Sequence, residues 1–142
     1  MPKREYQGIF IDTARDQLFD KLGLQRLKES YMKEEEESPQ ERFAFVSKTF
    51  SSNLEHAQRL YDYASNLWFM FSTPVLSNGG TARGLPISCF LNYIPDSRGG
   101  ITGHYTENAW LSSVGGGIGG SWSAVRSVGS ATSHGSESTG VI

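Results

Sequence analysis

The chain is short of thiols, and the shortage excludes a good deal. One cysteine in 142 residues rules out an internal disulfide and any cysteine-rich zinc site. No apolar run approaches the length that spans a bilayer. The N-terminal MPKREYQ has no apolar segment of the kind a secretory leader carries. A formal charge of −2 gives no reason to expect binding to nucleic acid or to a membrane surface. No Lys-Ser/Thr pair follows the glycines of residues 115–120, so a phosphate-cradling P-loop is excluded. No strand is predicted to lead into them, as a dinucleotide fingerprint requires. There is no internal repeat, catalytic triad or zinc signature. The composition expected is that of a soluble, cytoplasmic protein in a reducing compartment, long enough for one ordinary domain.

What is present is unevenly placed. Charge is concentrated before residue 65, and the last third is rich in glycine and serine. Residues 1–7 are polar and read as a frayed end. Asp12 or Thr13 is the expected cap of a helix running to about Leu22, ended by Gly23, with helical or irregular chain to Lys33. The four carboxylates of residues 34–37 read as a solvated loop, because neighbours on one stretch of chain do not converge on a metal. Ser38-Pro39-Gln40-Glu41 is a helix start, with Ser as cap, Pro in the first turn and Glu closing a capping box. That helix is expected to reach about Phe50 and to bury Phe43, Val46 and Phe50. A third helix over about 54–71 carries Ala57, Leu60, Tyr61, Ala64, Leu67, Trp68 and Phe71 at helical spacing, a core stripe. His56 lies off it, at the surface.

The centre of the chain is residues 71–91, FSTPVLSNGGTARGLPISCFL. Pro74 biases Thr73 away from the α region, which predicts that the preceding helix stops there. Asn78-Gly79-Gly80 is turn chemistry. Residues 87–94, between Pro86 and Pro95, read as a short strand carrying Cys89. On residue chemistry alone, Cys89 is a small buried hydrophobe. Asp96 or Ser97 is the expected cap of a helix to about Ser113, with Ile101, Tyr105, Asn108, Ala109 and Ser112 on one face. Residues 115–120 read by composition as a flexible linker. Residues 121–128 read as a short amphipathic segment, with Trp122 and Val125 inward and Arg126 free to meet an anion. The serine- and glycine-rich residues 127–142 bury too little apolar surface to order themselves.

Four segments in register carry a resemblance. Thr73-Pro74, Ser88-Cys89-Phe90-Leu91, Gly116-Gly117-Ile118-Gly119 and Arg126-Ser127-Val128-Gly129 closely resemble the large, catalytic subunit of ribonucleotide reductase, in order and in spacing. The resemblance is tight over residues 69–129 and covers only an early part of that subunit. It implies an α/β fold: a mostly helical lead-in over 1–70, then the first strand or strands of an incomplete α/β barrel over 71–142. It implies reduction of ribonucleotides to deoxyribonucleotides by thiol and radical chemistry, with Cys89 as one member of the redox-active pair. It also implies substrate contacts at Thr73, Ser88, Cys89, Gly116 and Gly117, and effector contacts at Asp96, Ser97 and Arg126. A second basic residue that the family often carries a few positions after Arg126 is Ser133 here.

The family's radical-forming cysteine, its Asn–Glu pair and its second redox cysteine lie downstream of these motifs and are not in this sequence. The lead-in is too short for the family's ATP-binding cone. The expectation is therefore an N-terminal piece of a catalytic subunit, truncated or split, and inactive without the rest of the barrel. The segment itself is expected to bind no cofactor or metal. The radical would come from a partner subunit or cobalamin, and the electrons from thioredoxin or glutaredoxin. Expected partners are the remainder of the subunit, a second copy through the 97–113 helix, a small radical-generating subunit, a nucleotide substrate and a deoxynucleoside triphosphate effector. The alternative is a non-catalytic nucleotide-binding or subunit-interaction module that kept the fold.

Overall fold

The structure, a computed structural model, describes residues 3–141. It divides into two compact units, Met1–Pro86 and Ile87–Ile142. The expected boundary lay earlier, between residues 70 and 71. The segment just after that point packs as a helix on the first unit.

Residues 1–7 were expected to fray; residues 1 and 2 lie outside the described residues, and from Arg4 the first unit forms an antiparallel hairpin. Strands β1 (Arg4–Tyr6) and β2 (Ile9–Ile11) pair Arg4 with Ile11 and Tyr6 with Ile9. Gln7 and Gly8 both take positive φ, 52° and 89°, the backbone that a two-residue hairpin turn needs. Ile9 and Ile11 are fully buried, and this apolar alternation was the available signal. Gln58 bonds the amide and the carbonyl of Phe10 at 2.9 and 3.0 Å, so β2's outer edge is covered by a side chain.

Asp12 caps as expected, but the helix it caps is a short 3-10 helix over Thr13–Leu18. A new helix, α1 (Lys21–Ser30), then runs straight through Gly23, because Asp20 caps it by accepting from the Gly23 amide at 2.6 Å. Leu18 and Leu22 are accordingly exposed. Helix α2 (Pro39–Thr49) starts as the sequence predicts, with Ser38 accepting from the Gln40 amide. Glu41 reaches one residue further back than a capping box does, to the Glu37 amide at 2.7 Å. Phe43 and Val46 are buried, while Phe50 is nearly half exposed.

Helix α3 (Leu54–Ser65) supplies Ala57, Tyr61 and Ala64 to the core. It stops six residues short of the expected end. Leu67 turns to φ 62°, and Leu67 and Trp68 leave the stripe for the surface. Thr73 does not end a helix but begins one, α4 (Thr73–Asn78), with Pro74 in its first turn, where a missing amide hydrogen costs nothing. The Asn78-Gly79-Gly80 turn comes next, with Gly80 at φ 70°.

One buried cation holds α4 and its turn in place. Arg42, inside α2, donates to the carbonyls of Leu76 and Gly79, both at 2.9 Å, and pairs with Glu36 at 3.2 Å. Both charged side chains are almost wholly buried, so Glu36 is no part of a solvated loop. Lys33 adds a bond to the Ser77 carbonyl at 2.6 Å. Two cations thus meet the carbonyls at the C-terminal end of α4, where the helix dipole is negative.

The second unit is a parallel pair of strands joined through a helix. Strand β3 (Cys89–Tyr93) and strand β4 (Gly117–Ser121) flank α5 (Arg98–Ser113). A helical lead-in followed by a few strands agrees with the expected fold class. Two segments differ from expectation. The glycine run is largely a strand and not a linker. The serine-rich tail folds into a hairpin, with Ala131 bridged to Glu137 and Thr132 donating to the Ser136 carbonyl at 2.8 Å.

Burial raises the Glu36 carboxyl above the ordinary glutamate range, although Arg42 and the Lys33 amide pull the other way. The folded chain therefore binds this proton more readily than the unfolded chain. Its contribution to stability grows as pH falls through the raised range and is smallest above it. Arg42→Met strands Glu36 and two carbonyls, and is expected to cost about 3–5 kcal/mol in a urea melt at neutral pH. A loss under about 1 kcal/mol would contradict the buried pair.

Candidate functional site

Cys89 is positioned by the pairing of β3 with a strand made mostly of glycine. The ladder sets Cys89 opposite Gly117, Phe90 opposite Ile118 and Tyr93 opposite Ser121. The Gly117 amide donates to the Ser88 carbonyl at 2.7 Å, and the Ile94 amide to the Ser121 carbonyl at 3.1 Å. Side chains alternate along a strand. Phe90 and Asn92 are half-buried, whereas Cys89, Leu91 and Tyr93 share the open face. Cys89 is thus an exposed thiol, and its reading as a buried hydrophobe is corrected.

Glycine is required here by close approach. A Cβ on Gly116 would lie 2.7 Å from Phe90 Cε2 and 2.8 Å from the Leu111 carbonyl. One on Gly120 would lie 2.8 Å from His104 Cε1. The helix face turned inward is Ile101, His104, Asn108 and Leu111, with His104 the one buried member. Asn92 Nδ2 donates to Asn108 Oδ1 at 3.0 Å, and Asn108 Nδ2 lies 3.0 Å from His104 Nε2, so a polar relay ties β3 to α5. Tyr105, Ala109 and Ser112, grouped with Ile101 and Asn108 on one face by their spacing, are exposed, as is Trp110.

Beyond β3, three expected effector residues come together. Ser97 caps α5 by accepting from the Gly100 amide at 3.0 Å. Asp96 accepts from Arg126 Nε at 2.8 Å. Arg126 is therefore not free: its Nη1 also donates to the Ala131 carbonyl at 2.8 Å, which anchors the tail hairpin. These residues border a cleft of about 570 Å³, which Arg98, Thr132, Ser133, His134, Ser136 and Ser138 also line. The tail's contribution is not apparent from composition. Its signal was the Thr-Ser-His-Gly-Ser run, with Gly135 at φ 77° in the turn.

The other expected substrate residues fall in both units. Ser88 directly precedes β3, and Gly116 and Gly117 enter β4. Thr73 lies in the first unit, at the start of α4, its hydroxyl 3.1 Å from that of Tyr31. Among the described residues, no three His, Cys, Asp or Glu side chains converge to hold a metal ion, and no helix is long and apolar enough to cross a membrane.

Comparison with known proteins matches the chain to two domain families in turn. Residues 17–84 match the family model of the ribonucleotide reductase all-alpha domain, and residues 87–142 that of its barrel domain. The ribonucleoside-diphosphate reductase large subunit of Invertebrate iridescent virus 3 is 56% identical over 112 residues, 78% of this chain and 18% of that protein. Its counterpart in Invertebrate iridescent virus 6 is 52% identical over 111 residues, again 78% of this chain but 12% of the relative. The subunit alpha of Helicobacter pylori is 32% identical across 97% of this chain and 19% of its own length. Among solved structures, the Actinobacillus ureae class Id ribonucleotide reductase alpha subunit superposes with a TM-score of 0.63 at 32% identity, covering 79% of this chain and 22% of that one. The chain thus spans less than a fifth of the length of these curated relatives.

Because a methyl group at position 116 has no room, Gly116→Ala is expected to destabilise the second unit by about 1–3 kcal/mol. The measurement is a denaturant melt followed by tryptophan fluorescence in a chain that keeps Trp110 and Trp122 and has Trp68 replaced by Phe. An unchanged midpoint would show that β4 does not approach Phe90 and Leu111 this closely.

Proposed function

The chain belongs to the ribonucleotide reductase large-subunit family, whose all-alpha and barrel domains it matches in turn, and on that premise we propose that it is the N-terminal part of a ribonucleoside-diphosphate reductase catalytic subunit. The observation that carries this reading is the sole cysteine, exposed on β3 and held in register with a glycine strand. The reaction replaces a ribose 2′-hydroxyl by hydrogen. Two thiols lose their hydrogens and join as a disulfide, the hydroxyl leaves as water, and the product is the deoxyribonucleotide.

Cys89 is one of those thiols. Its partner is supplied by the rest of the barrel, and thioredoxin or glutaredoxin resets the pair by dithiol exchange. The radical that opens the reaction is supplied from outside this segment, by a small partner subunit or by cobalamin. In the second unit the substrate nucleotide meets the Ser88 hydroxyl and the chain at Gly116 and Gly117, whose amides already donate to the Leu111 and Ser88 carbonyls and so contribute close approach and not free donors. The cleft beside Asp96, Ser97 and Arg126 takes a deoxynucleoside triphosphate effector. Asp96 sets the plane of the Arg126 guanidinium, and Nη2, which has no partner among the described residues, faces the phosphates' charge. The exposed Tyr105 and Trp110 of α5 supply the contact with a second copy. The chain by itself is inactive.

The test is Cys89→Ser in the chain combined with a polypeptide that supplies the rest of the barrel. Serine has the size but cannot form the disulfide, so dithiol-driven turnover is expected to vanish while nucleotide still binds. Turnover close to that of the unsubstituted chain would remove Cys89 from the chemistry.

A further inference from the structure

The cleft next to the Asp96–Arg126 pair carries more cationic capacity than those two residues account for. Its lining holds Arg98 and Arg126 against the single acid Asp96, with His134 as a further titratable member. Two arginines against one aspartate leave one net positive charge, and a protonated His134 doubles it. Hydroxyls from Ser97, Thr132, Ser133 and Ser136 complete a wall suited to phosphate oxygens.

His134 is presented by a fixed turn and not by loose chain. Thr132 donates its amide to the Ser136 carbonyl at 2.8 Å, their hydroxyls lie 2.8 Å apart, and Gly135 closes the turn at φ 77°. The hairpin is tied to the effector residues directly, because Arg126 Nη1 donates to the Ala131 carbonyl. Ser133 Oγ lies 3.1 Å from His134 Nδ1, which engages that side of the ring and leaves Nε2 for a ligand. The charged groups around it are Arg98 at the start of α5, Asp96 and Arg126, and on its own hairpin Glu137, which is exposed and does not line the cleft.

We propose that His134, with Arg98, is a polyphosphate-binding residue of this cleft, and that the cleft's affinity for a nucleoside triphosphate therefore increases as the solution is acidified. The proposal rests on the reading that the cleft takes such a nucleotide, and it adds the group that makes binding respond to protons. Histidine is the side chain whose charge ordinarily changes between pH 5 and 8. The position is exposed and screened by salt, so the effect is a modest one.

The experiment is calorimetric titration of the 142-residue chain with dTTP and, separately, with inorganic tripolyphosphate, at pH 8 and pH 6. The chain is compared with His134→Gln, His134→Lys and Arg126→Ala, each checked for an unchanged circular dichroism spectrum. His134→Gln also serves as the baseline for protonation of the ligand itself. Relative to that baseline, the unsubstituted chain is expected to bind both probes about three- to fivefold more tightly at pH 6 than at pH 8. His134→Lys is expected to bind tightly at both pH values. If Arg126→Ala abolishes binding while His134→Gln shows the same pH dependence as the parent chain, the cleft reading stands and the role of His134 is overturned. If no chain binds either probe at either pH, both fall together.

Discussion

The second unit depends on how closely a glycine backbone approaches a helix and a phenylalanine ring. Strand β4 runs so near Phe90, Leu111 and His104 that a Cβ at position 116 or 120 would collide with them. That approach allows the parallel pairing of β3 and β4, which α5 bridges as a crossover. The consequences run outward from the pairing. Alternation along β3 turns Phe90 and Asn92 toward the helix and Cys89 to the open face. The bond from Ile94 to Ser121 carries the pairing to the end of β4, and Asp96 and Arg126 meet just beyond. The thiol and the Asp96–Arg126 pair are thus set by one ladder of backbone bonds.

In the first unit a comparable part is played by charge. Arg42 leaves the interior of α2 to satisfy the last carbonyls of α4, and buries Glu36 in doing so. A buried pair of this kind adds little net stability compared with apolar packing, yet losing one partner is costly. Its effect is therefore positional. It fixes the short helix that carries Thr73, a helix too short to hold itself together by its own hydrogen bonds.

Where local chemistry decides structure, the sequence was legible. Ser38-Pro39 started α2 and Ser97 started α5, since a capping hydroxyl acts on amides two or three residues away. The core positions Ala57, Tyr61 and Ala64 followed from helical spacing. Tertiary contact overrode the local signal elsewhere. Thr73-Pro74 suits a helix start as well as a helix end, and only the waiting side chains of Arg42 and Lys33 decide between them. The glycine run looked like a linker because glycine has no intrinsic preference for a strand. Its strand character comes from pairing with β3 and, at Gly116 and Gly120, from neighbours that leave no room for a Cβ. The tail looked too polar to order, and it is ordered by hydrogen bonds and by Arg126 and not by burial. Of the cleft's lining, Asp96, Ser97 and Arg126 were singled out by family resemblance, while the tail residues that line it with them needed the fold.

The parallel pairing of β3 with β4 is tested most directly by amide hydrogen exchange, read residue by residue on the 142-residue chain. If β4 is a strand paired with β3, the amides of Gly117 and Ile94 and the ladder between the strands exchange slowly, at rates comparable with the centre of α5. Exchange at unprotected rates throughout residues 115–121, with α5 still protected, would show the glycine run to be a linker. The placement of Cys89 would then lose its basis.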